Sequence, residues 1–262
     1  MYGEGALIHP TAIVDPSAEL DAGVEVGPYA IIGPRVTIGA GTRIGAHALI
    51  ARNTRLGRDN QVFAHATVGE DPQDKKYGGE ETWLEIGDHN VIREYATLHR
   101  GTVQDQGVTR VGSHNLLMAY SHVAHDCRIG DHCILANGAS LGGHVQIHDW
   151  AILGGFTLVH QFTRIGAHAF TAMGSAVAKD VPPYVMVSGQ PARPHGINHE
   201  GLRRRGFSGD QIAAIRSAYK LLYRQGLRLE EARQALNELA REREELALLA
   251  AFLDDLSRSI IR

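Results

Sequence analysis

From Ile8 onward an aliphatic residue recurs at every sixth position: Val14, Leu20, Val26, Ile32, Ile38, Ile44, Ile50, Leu56, Val62 and Val68. The phase returns at Ile86, Ile92 and Leu98. It resumes at Val111 and continues through Leu117, Val123, Ile129, Leu135, Leu141, Ile147, Leu153, Val159, Ile165, Thr171 and Val177, of which only Thr171 is not aliphatic. An amphipathic helix repeats about every 3.6 residues and a half-buried strand every second one, so a strict period of six fits neither. It is the signature of a parallel β-helix of stacked hexapeptide units. The residue four places after the aliphatic is mostly small, as at Ala12, Ala18, Ala30, Thr42, Ala48, Ala66, Ala96, Ser121, Ala139, Ala151 and Ser175, which gives each unit two inward positions.

Glycine often follows the aliphatic residue, as at Gly27, Gly45, Gly130 and Gly166, in keeping with a chain that turns tight corners. The repeat class that this pattern resembles winds three hexapeptides into an 18-residue triangular coil and is left-handed. Cys127 and Cys133 fall on the small inward position, where burial as small hydrophobes explains them. Two polar, glycine-rich segments interrupt the period, Asp71 to Glu81 and Gly101 to Gly107. They read as outward loops near 70–83 and 99–110, where a rigid solenoid carries binding groups.

The repeat ends near Asp180-Val181-Pro182-Pro183, and a connector from Gly196 to Gly206 carries Arg203, Arg204 and Arg205. Ser208-Gly209-Asp210-Gln211 fits a capping box, with Ile212, Ile215, Ala218, Leu221 and Leu222 following at helical spacing up to Gly226. Two further amphipathic stretches run from Leu229 to Ala240 and from Glu244 to Ser257. The expected fold is an all-β left-handed parallel β-helix over residues 1–190, followed by a connector and a small α-helical C-terminal domain over 191–262 that covers the open end of the solenoid.

At 262 residues and 44% hydrophobic, the chain holds enough apolar material for a sizeable core and reads as a soluble globular protein. Met1-Tyr2-Gly3-Glu4-Gly5-Ala6-Leu7 lacks the basic start and apolar run of a signal peptide, and no apolar run approaches membrane-spanning length. A cytoplasmic protein without a transmembrane segment is expected. Two cysteines exclude a disulfide framework and a cysteine metal cluster, and a net charge of -3 argues against bulk nucleic-acid binding.

The 18-residue coil stacks residues that are remote in sequence at roughly 4.8 Å, the spacing of strands in a sheet. Gly143 and Gln161 stand above His125, with His144 and His160 as their neighbours and His122 at the foot. Four histidines along one corner, over three coils, mark a candidate active site. His125 lies two places after an inward aliphatic, so its ring points outward, where it can act as a general base near neutral pH. Asp126 is a candidate to orient that ring, although neighbours on a strand face opposite ways. Gly143 exposes its backbone N–H at the height where an oxyanion would form. This arrangement suits acyl transfer. No serine or cysteine nucleophile joins the column, which favours direct transfer over a covalent intermediate. A zinc site is the rival reading of stacked imidazoles, but the spacing of His122 and His125 makes their rings diverge, and no metal is expected.

The hexapeptide run, together with His122-Val123-Ala124-His125-Asp126-Cys127, Gln73-Asp74-Lys75-Lys76-Tyr77, His160-Gln161-Phe162 and Asn198-His199-Glu200-Gly201-Leu202-Arg203-Arg204-Arg205-Gly206-Phe207-Ser208, resembles the acyl-[acyl carrier protein] UDP-N-acetylglucosamine O-acyltransferases of lipid A biosynthesis. The resemblance covers essentially the whole chain. It implies a homotrimer with sites between neighbouring solenoids, transferring an R-3-hydroxyacyl group from acyl carrier protein to the glucosamine 3-hydroxyl. The acyl group would arrive on the carrier's phosphopantetheine, with no other cofactor. By that likeness His125 is the base and Gly143 the oxyanion donor. Asp74 and His122 would hold the sugar, with Gln73, Lys76, His144 and His160 lining the cleft. Gln161, Asn198, Glu200, Arg204 and Arg205 would contact the nucleotide or the pantetheine. The forked donors of Arg204 and Arg205 suit phosphate independently of that likeness.

Met173 stands where family members that accept long acyl chains resemble one another in having glycine, so it is expected to plug the acyl groove and select a shorter chain. It lies about 2.7 coils above His125, or roughly 13 Å, near the length of a ten-carbon chain. Its coil phase differs from that of His125 by one side of the prism, from which a shared groove would need a neighbouring subunit to supply one of the two. Other readings are a different hexapeptide acyltransferase, N-acylating or coenzyme A-dependent, a zinc hydratase, or an inert solenoid. The N-acylating family normally carries a separate N-terminal domain, whereas here the repeat starts at Ile8. The sequence leaves open whether the acceptor is a hydroxyl or an amine.

Overall fold

The computed structural model describes residues 3–256 and 258–262. Most hexapeptides contribute a two-residue strand whose first residue faces outward and whose second is buried, as in the exposed Arg43 and buried Ile44. Glu25 pairs in parallel with Arg43 and Arg43 with Gln61, so the coil repeats at 18 residues. The strands form three faces, which begin with Leu7–Ile8, Ile13–Val14 and Glu19–Leu20 and hold eleven, nine and eight strands. The winding is left-handed. Inside the prism, stacked aliphatics such as Ile32, Ile50, Val68, Leu98, Val123, Leu141 and Val159 build one continuous core. Cys127 and Cys133 are fully buried in it, and burial pushes both thiols up to about 12.

The corners differ from the expectation. Gly27, Gly45 and Gly130 do not adopt the left-handed backbone, which falls two residues later at Tyr29, His47 and His132. What glycine supplies is clearance, since a Cβ on Gly45 would lie 2.8 Å from the Ala64 nitrogen of the next coil. The strained left-handed positions are occupied largely by rings that stack from coil to coil, such as Tyr29, His47, His65, Tyr95 and Tyr120, with centroids 5.0 to 5.1 Å apart. Contact between the rings offsets the backbone strain.

Both interruptions leave the prism at one corner, where the second face passes to the third. The first occupies residues 71–82, between strands Thr67–Glu70 and Trp83–Ile86, and the second residues 100–107, between Thr97–His99 and Val108–Val111. The outermost residues of the expected loops therefore belong to strands. Register survives both insertions, with Gln61 pairing to Val91 and Val91 to Leu116.

The sheet continues past residue 190. Val185–Gly189 joins the first face in parallel, and Ala192–Ile197 adds to it antiparallel. The expected connector contains helix α1 (His199–Arg204). Helix α2 (Gly209–Tyr223) opens with the expected capping box, the Ser208 hydroxyl accepting from Gln211 N–H and the Gln211 side chain from Ser208 N–H. Helix α3 (Leu229–Ala240) follows, then a single turn at Glu244–Leu246 that runs into helix α4 (Ala247–Asp254). Ser257, the expected end of the last helix, lies outside the described residues. Tyr219 and Ile261 pack into the solenoid core, Ile261 N–H donates to Asp180 O at 2.8 Å, and Tyr184 OH donates to Glu245 O at 2.7 Å, so the C-terminal region closes the last coil. Among the described residues no helix is long and apolar enough to cross a membrane.

Candidate active site

The corner that releases both loops also carries the histidines. Strand His122–Val123 turns Val123 into the core and His122 outward, and the chain then bends through Ala124, His125 and Asp126. One coil on, Gly142, Gly143 and His144 make the same bend, and a further coil on, His160, Gln161 and Phe162 do so. His144 N–H donates to His125 O and Phe162 N–H to Gly143 O, both at 3.0 Å. His125, Gly143 and Gln161 thus stand in one column, and Asp126, His144 and Phe162 in the next.

Asp126 and His125 do meet, because the two residues lie in a bend and not in a strand. Asp126 has a left-handed backbone, φ 59, which swings its carboxylate back toward the preceding ring. His125 Nδ1 and Asp126 Oδ2 are 2.8 Å apart, and the Asp126 side chain is 1% exposed. Asp126 also accepts from Thr102 N–H at 2.9 Å and from the Thr102 hydroxyl at 2.7 Å, while its own N–H donates to Thr109 Oγ1. Burial alone would raise this carboxyl, but the bonds from His125 and Thr102, with His144 nearby, outweigh it and hold Asp126 below the usual carboxylate range. A carboxylate only accepts, so Nδ1 carries the proton and Nε2 is left free as a base.

Gly143 is shaped by the ring below it. A Cβ there would lie 2.6 Å from His125 Cε1 and 2.7 Å from Nε2. Its N–H makes no hydrogen bond among the described residues. The fold accounts for this, since equivalent positions two after the inward aliphatic are occupied by Pro10, Pro16, Pro28 and Pro34, which have no N–H. A free donor beside an imidazole nitrogen able to take a proton is a geometry that suits an oxyanion site.

Two adjoining clefts open here, of about 660 and 420 Å³, sharing Gln73, His125 and Gln161. The larger is walled by both loops, through Asp74 and Lys76 from the first and Gln104 and Asp105 from the second, with His144 between them. His144 stacks on Phe162 at 4.3 Å and donates from Nδ1 to Asp105 at 3.0 Å. The smaller cleft adds His99, His122 and Gly143 above an apolar floor containing Leu141, Leu158 and Val159. Burial, then His99 and His125 nearby, push His122 down to about 4, so this ring is neutral at ordinary pH. Donor atoms of His125, Asp126 and His144 lie within 4.8 Å of one another, but both Asp126 oxygens and His125 Nδ1 are engaged in hydrogen bonds within the chain.

The first loop is pinned from beneath by Arg100, which is buried and donates to Gly69 O, Asp71 and Tyr77 OH, with Arg52 closing on Asp71 and Tyr77 at 3.2 Å. Burial raises the Asp71 carboxyl, but the two guanidinium groups outweigh it and hold it low. His99, Arg100, Thr102, Asp105 and Thr109 were not among the sequence candidates. They flank or occupy the second interruption, where the repeat offers no phase by which to place a side chain.

The remaining candidates lie outside the two clefts. His160 sits exposed at the start of the third bend, with Nδ1 donating to Gln161 O at 3.0 Å, and lines neither cleft. Asn198 caps α1, accepting from Gly201 N–H and donating to His168 O. Arg205 donates to His168 Nδ1 at 3.1 Å and lies 5.2 Å over Trp150. Glu200, bonded first to Arg203 and then to Arg204, is lowered to about 2. Trp150 and His168 stack at the corner between the third and first faces, so this group occupies a different edge of the prism from His125. Met173, 78% exposed, stands at the corner between the first and second faces. Met173 and His125 therefore bound opposite edges of the same second face, with the exposed Leu158 between them. The requirement that a neighbouring subunit supply one of the two does not follow, because one chain brings both to that face.

A family model described as UDP N-acetylglucosamine O-acyltransferase, domain 2, matches residues 180–261, and one described as bacterial transferase hexapeptide matches 18–52 and 109–143. The acyl-[acyl-carrier-protein]–UDP-N-acetylglucosamine O-acyltransferase of Thiobacillus denitrificans is 57% identical over 98% of this chain and all of its own length, and that of Pseudomonas aeruginosa is 54% identical over the same shares. Among solved structures, LpxA from Acinetobacter baumannii is 50% identical with a TM-score of 0.95, covering 98% of this chain and all of that one. The UDP-N-acetylglucosamine O-acyltransferase of Moraxella catarrhalis is 46% identical with a TM-score of 0.94, covering 97% and 99%. With relatives of this identity matched over nearly the whole chain, the chain belongs to the acyl-[acyl-carrier-protein]–UDP-N-acetylglucosamine O-acyltransferase family of enzymes.

Proposed function

We propose that this enzyme transfers an R-3-hydroxyacyl group, 3-hydroxydecanoyl by preference, from acyl carrier protein to the 3-hydroxyl of the glucosamine in UDP-N-acetylglucosamine, the first step of lipid A biosynthesis. The observation that carries the reading is the His125–Gly143 pair, a base with its Nε2 free directly below an unpaired backbone N–H.

In the proposed reaction His125 Nε2 takes the proton of the sugar 3-hydroxyl as that oxygen attacks the thioester carbon. The carbonyl oxygen gains the displaced electron pair and is met by the Gly143 N–H. Collapse of the tetrahedral intermediate breaks the carbon–sulfur bond, and the departing phosphopantetheine sulfur recovers the proton from His125. Asp126 stabilises the imidazolium between the two transfers. Every step uses groups of this chain and its two substrates, so no cofactor or metal enters the reaction as proposed.

Asp74, His122, Gln73, Lys76, His144 and Gln161 surround the base and suit the sugar and its diphosphate. Asn198, Glu200, Arg204 and Arg205, with His160 and the two clefts on other parts of the surface, suit a homotrimer in which a neighbour's corner completes the site for the nucleotide or the pantetheine. Met173 would end the acyl groove along the second face. Free, buried Cys127 and Cys133 are in keeping with the reducing cytoplasm as the site of action.

The test offers 3-hydroxydecanoyl and 3-hydroxymyristoyl carrier protein side by side with UDP-N-acetylglucosamine, using His125→Ala as control. Transfer that favours the decanoyl donor and disappears in the control supports the reading. Transfer that persists in the control removes the base, and transfer that favours the longer donor removes the role of Met173.

A further inference from the structure

We propose that Thr102, on the second loop, is a positioning residue for the general base, holding Asp126 in the orientation from which that carboxylate orients His125. The inference rests on the reading of His125 given above. Thr102 is 1% exposed and lines neither cleft, so it acts through Asp126 and not on a substrate.

Its geometry is specific. Thr102 N–H reaches Asp126 Oδ1 at 2.9 Å and the Thr102 hydroxyl reaches Oδ2 at 2.7 Å, so both oxygens are held by one residue and the plane of the carboxylate is fixed. His125 Nδ1 then meets Oδ2 at 2.8 Å. From below, Thr109 Oγ1 accepts the Asp126 N–H at 2.8 Å and holds the backbone. The side chain of Asp126 is 1% exposed, so water cannot replace a donor that is removed. A plain solenoid coil has no residue at this place. Thr102 is present because the second loop inserts at this corner, and the loop passes so close to Val108 that Gly101 has no room for a side chain. The same loop sends Asp105 to His144, so it braces both histidines that stand beside Asp126.

Thr102→Val keeps the shape of the side chain and removes the hydroxyl. Asp126 then keeps its bonds from the residue 102 N–H and from His125 but loses the donor that fixes Oδ2, so His125 has a less firmly held partner for its imidazolium. The expected result is a fall in kcat of about tenfold, the size of one hydrogen bond, with KM for both substrates within about twofold. The acidic limb of kcat against pH should move to lower pH, because a carboxylate held less firmly stabilises the imidazolium less. Thr102→Ser, which restores the hydroxyl and drops the methyl, should recover kcat and the profile.

Three results would overturn the proposal: a Thr102→Val enzyme with unchanged kcat and profile, a Thr102→Ser enzyme as impaired as the valine variant, or losses in both variants that simply follow their melting temperatures. His125→Ala run alongside separates the two readings. If that variant retains transfer, the base itself is misassigned; if it is inactive while Thr102→Val is normal, only the role of Thr102 falls.

Discussion

A Cβ placed on Gly143 falls 2.6 Å from Cε1 of His125, so the imidazole and the glycine one coil above it leave each other no spare room. The same glycine presents the unpaired N–H. Gly143→Ala should therefore displace the imidazole and obstruct the oxyanion position together. The expected loss is on the order of 100-fold in kcat, as for removal of one oxyanion donor, with a smaller change in KM. Steady-state kinetics of a variant with an unaltered melting temperature checks it.

Met173 lies exposed at the edge of the face whose other edge carries His125. Met173→Gly should open that end and move preference from the 3-hydroxydecanoyl toward the 3-hydroxymyristoyl donor. Roughly a tenfold or larger change in the ratio of kcat/KM values is expected, since a few methylenes are worth about 1–3 kcal/mol each in such a groove. An unchanged ratio would place the end of the acyl groove elsewhere.

Arg100 is a buried cation that donates to Gly69 O, Asp71 and Tyr77 OH at the first loop and to Arg52 O, at 3.4 Å, on the neighbouring coil. Arg100→Met should leave Asp71 and Tyr77 held by Arg52 alone and loosen the segment that presents Gln73, Asp74 and Lys76. A loss of about 2 kcal/mol in stability, the scale of a charged hydrogen bond, is expected together with a raised KM for the sugar nucleotide. Denaturant unfolding and initial rates at varied sugar nucleotide measure the two effects separately.

Burial, reinforced by Arg205, pushes His168 down to about 4, and burial holds His122 at about 4 as well. In the unfolded chain both titrate near the usual value of about 6.5. Between about 6.5 and 4 the unfolded state binds protons that the folded state refuses. Stability contributed by the neutral rings is thus complete above 6.5 and is lost as pH falls toward 4. Melting temperature should drop across that window, by roughly 5 °C or more, and the drop should be smaller in His168→Gln.

Much of the site was legible because the solenoid converts a sequence offset into a height. The period of six located the inward residues, the coil of 18 placed Gly143 over His125, and the capping box at Ser208 marked α2. The glycines after the aliphatics were legible as a pattern but not in their cause, which is contact between coils and not a left-handed backbone. The bond between His125 and Asp126 runs against the sequence pattern, since alternation along a strand argues against it. It forms because Asp126 sits in a bend with positive φ.

The solenoid, its core and the column of histidines follow from the linear order of residues, because they depend on local period and on hydrophobic burial, both written in one dimension. The paths of the two loops, by contrast, are settled in three dimensions. Their departure from the same corner as His125 places Thr102 on Asp126, Asp105 on His144 and Arg100 beneath Asp71. Those contacts join residues whose spacing follows no repeat, and hydrogen bonds of this kind are specified by direction and distance in space, which no periodicity records.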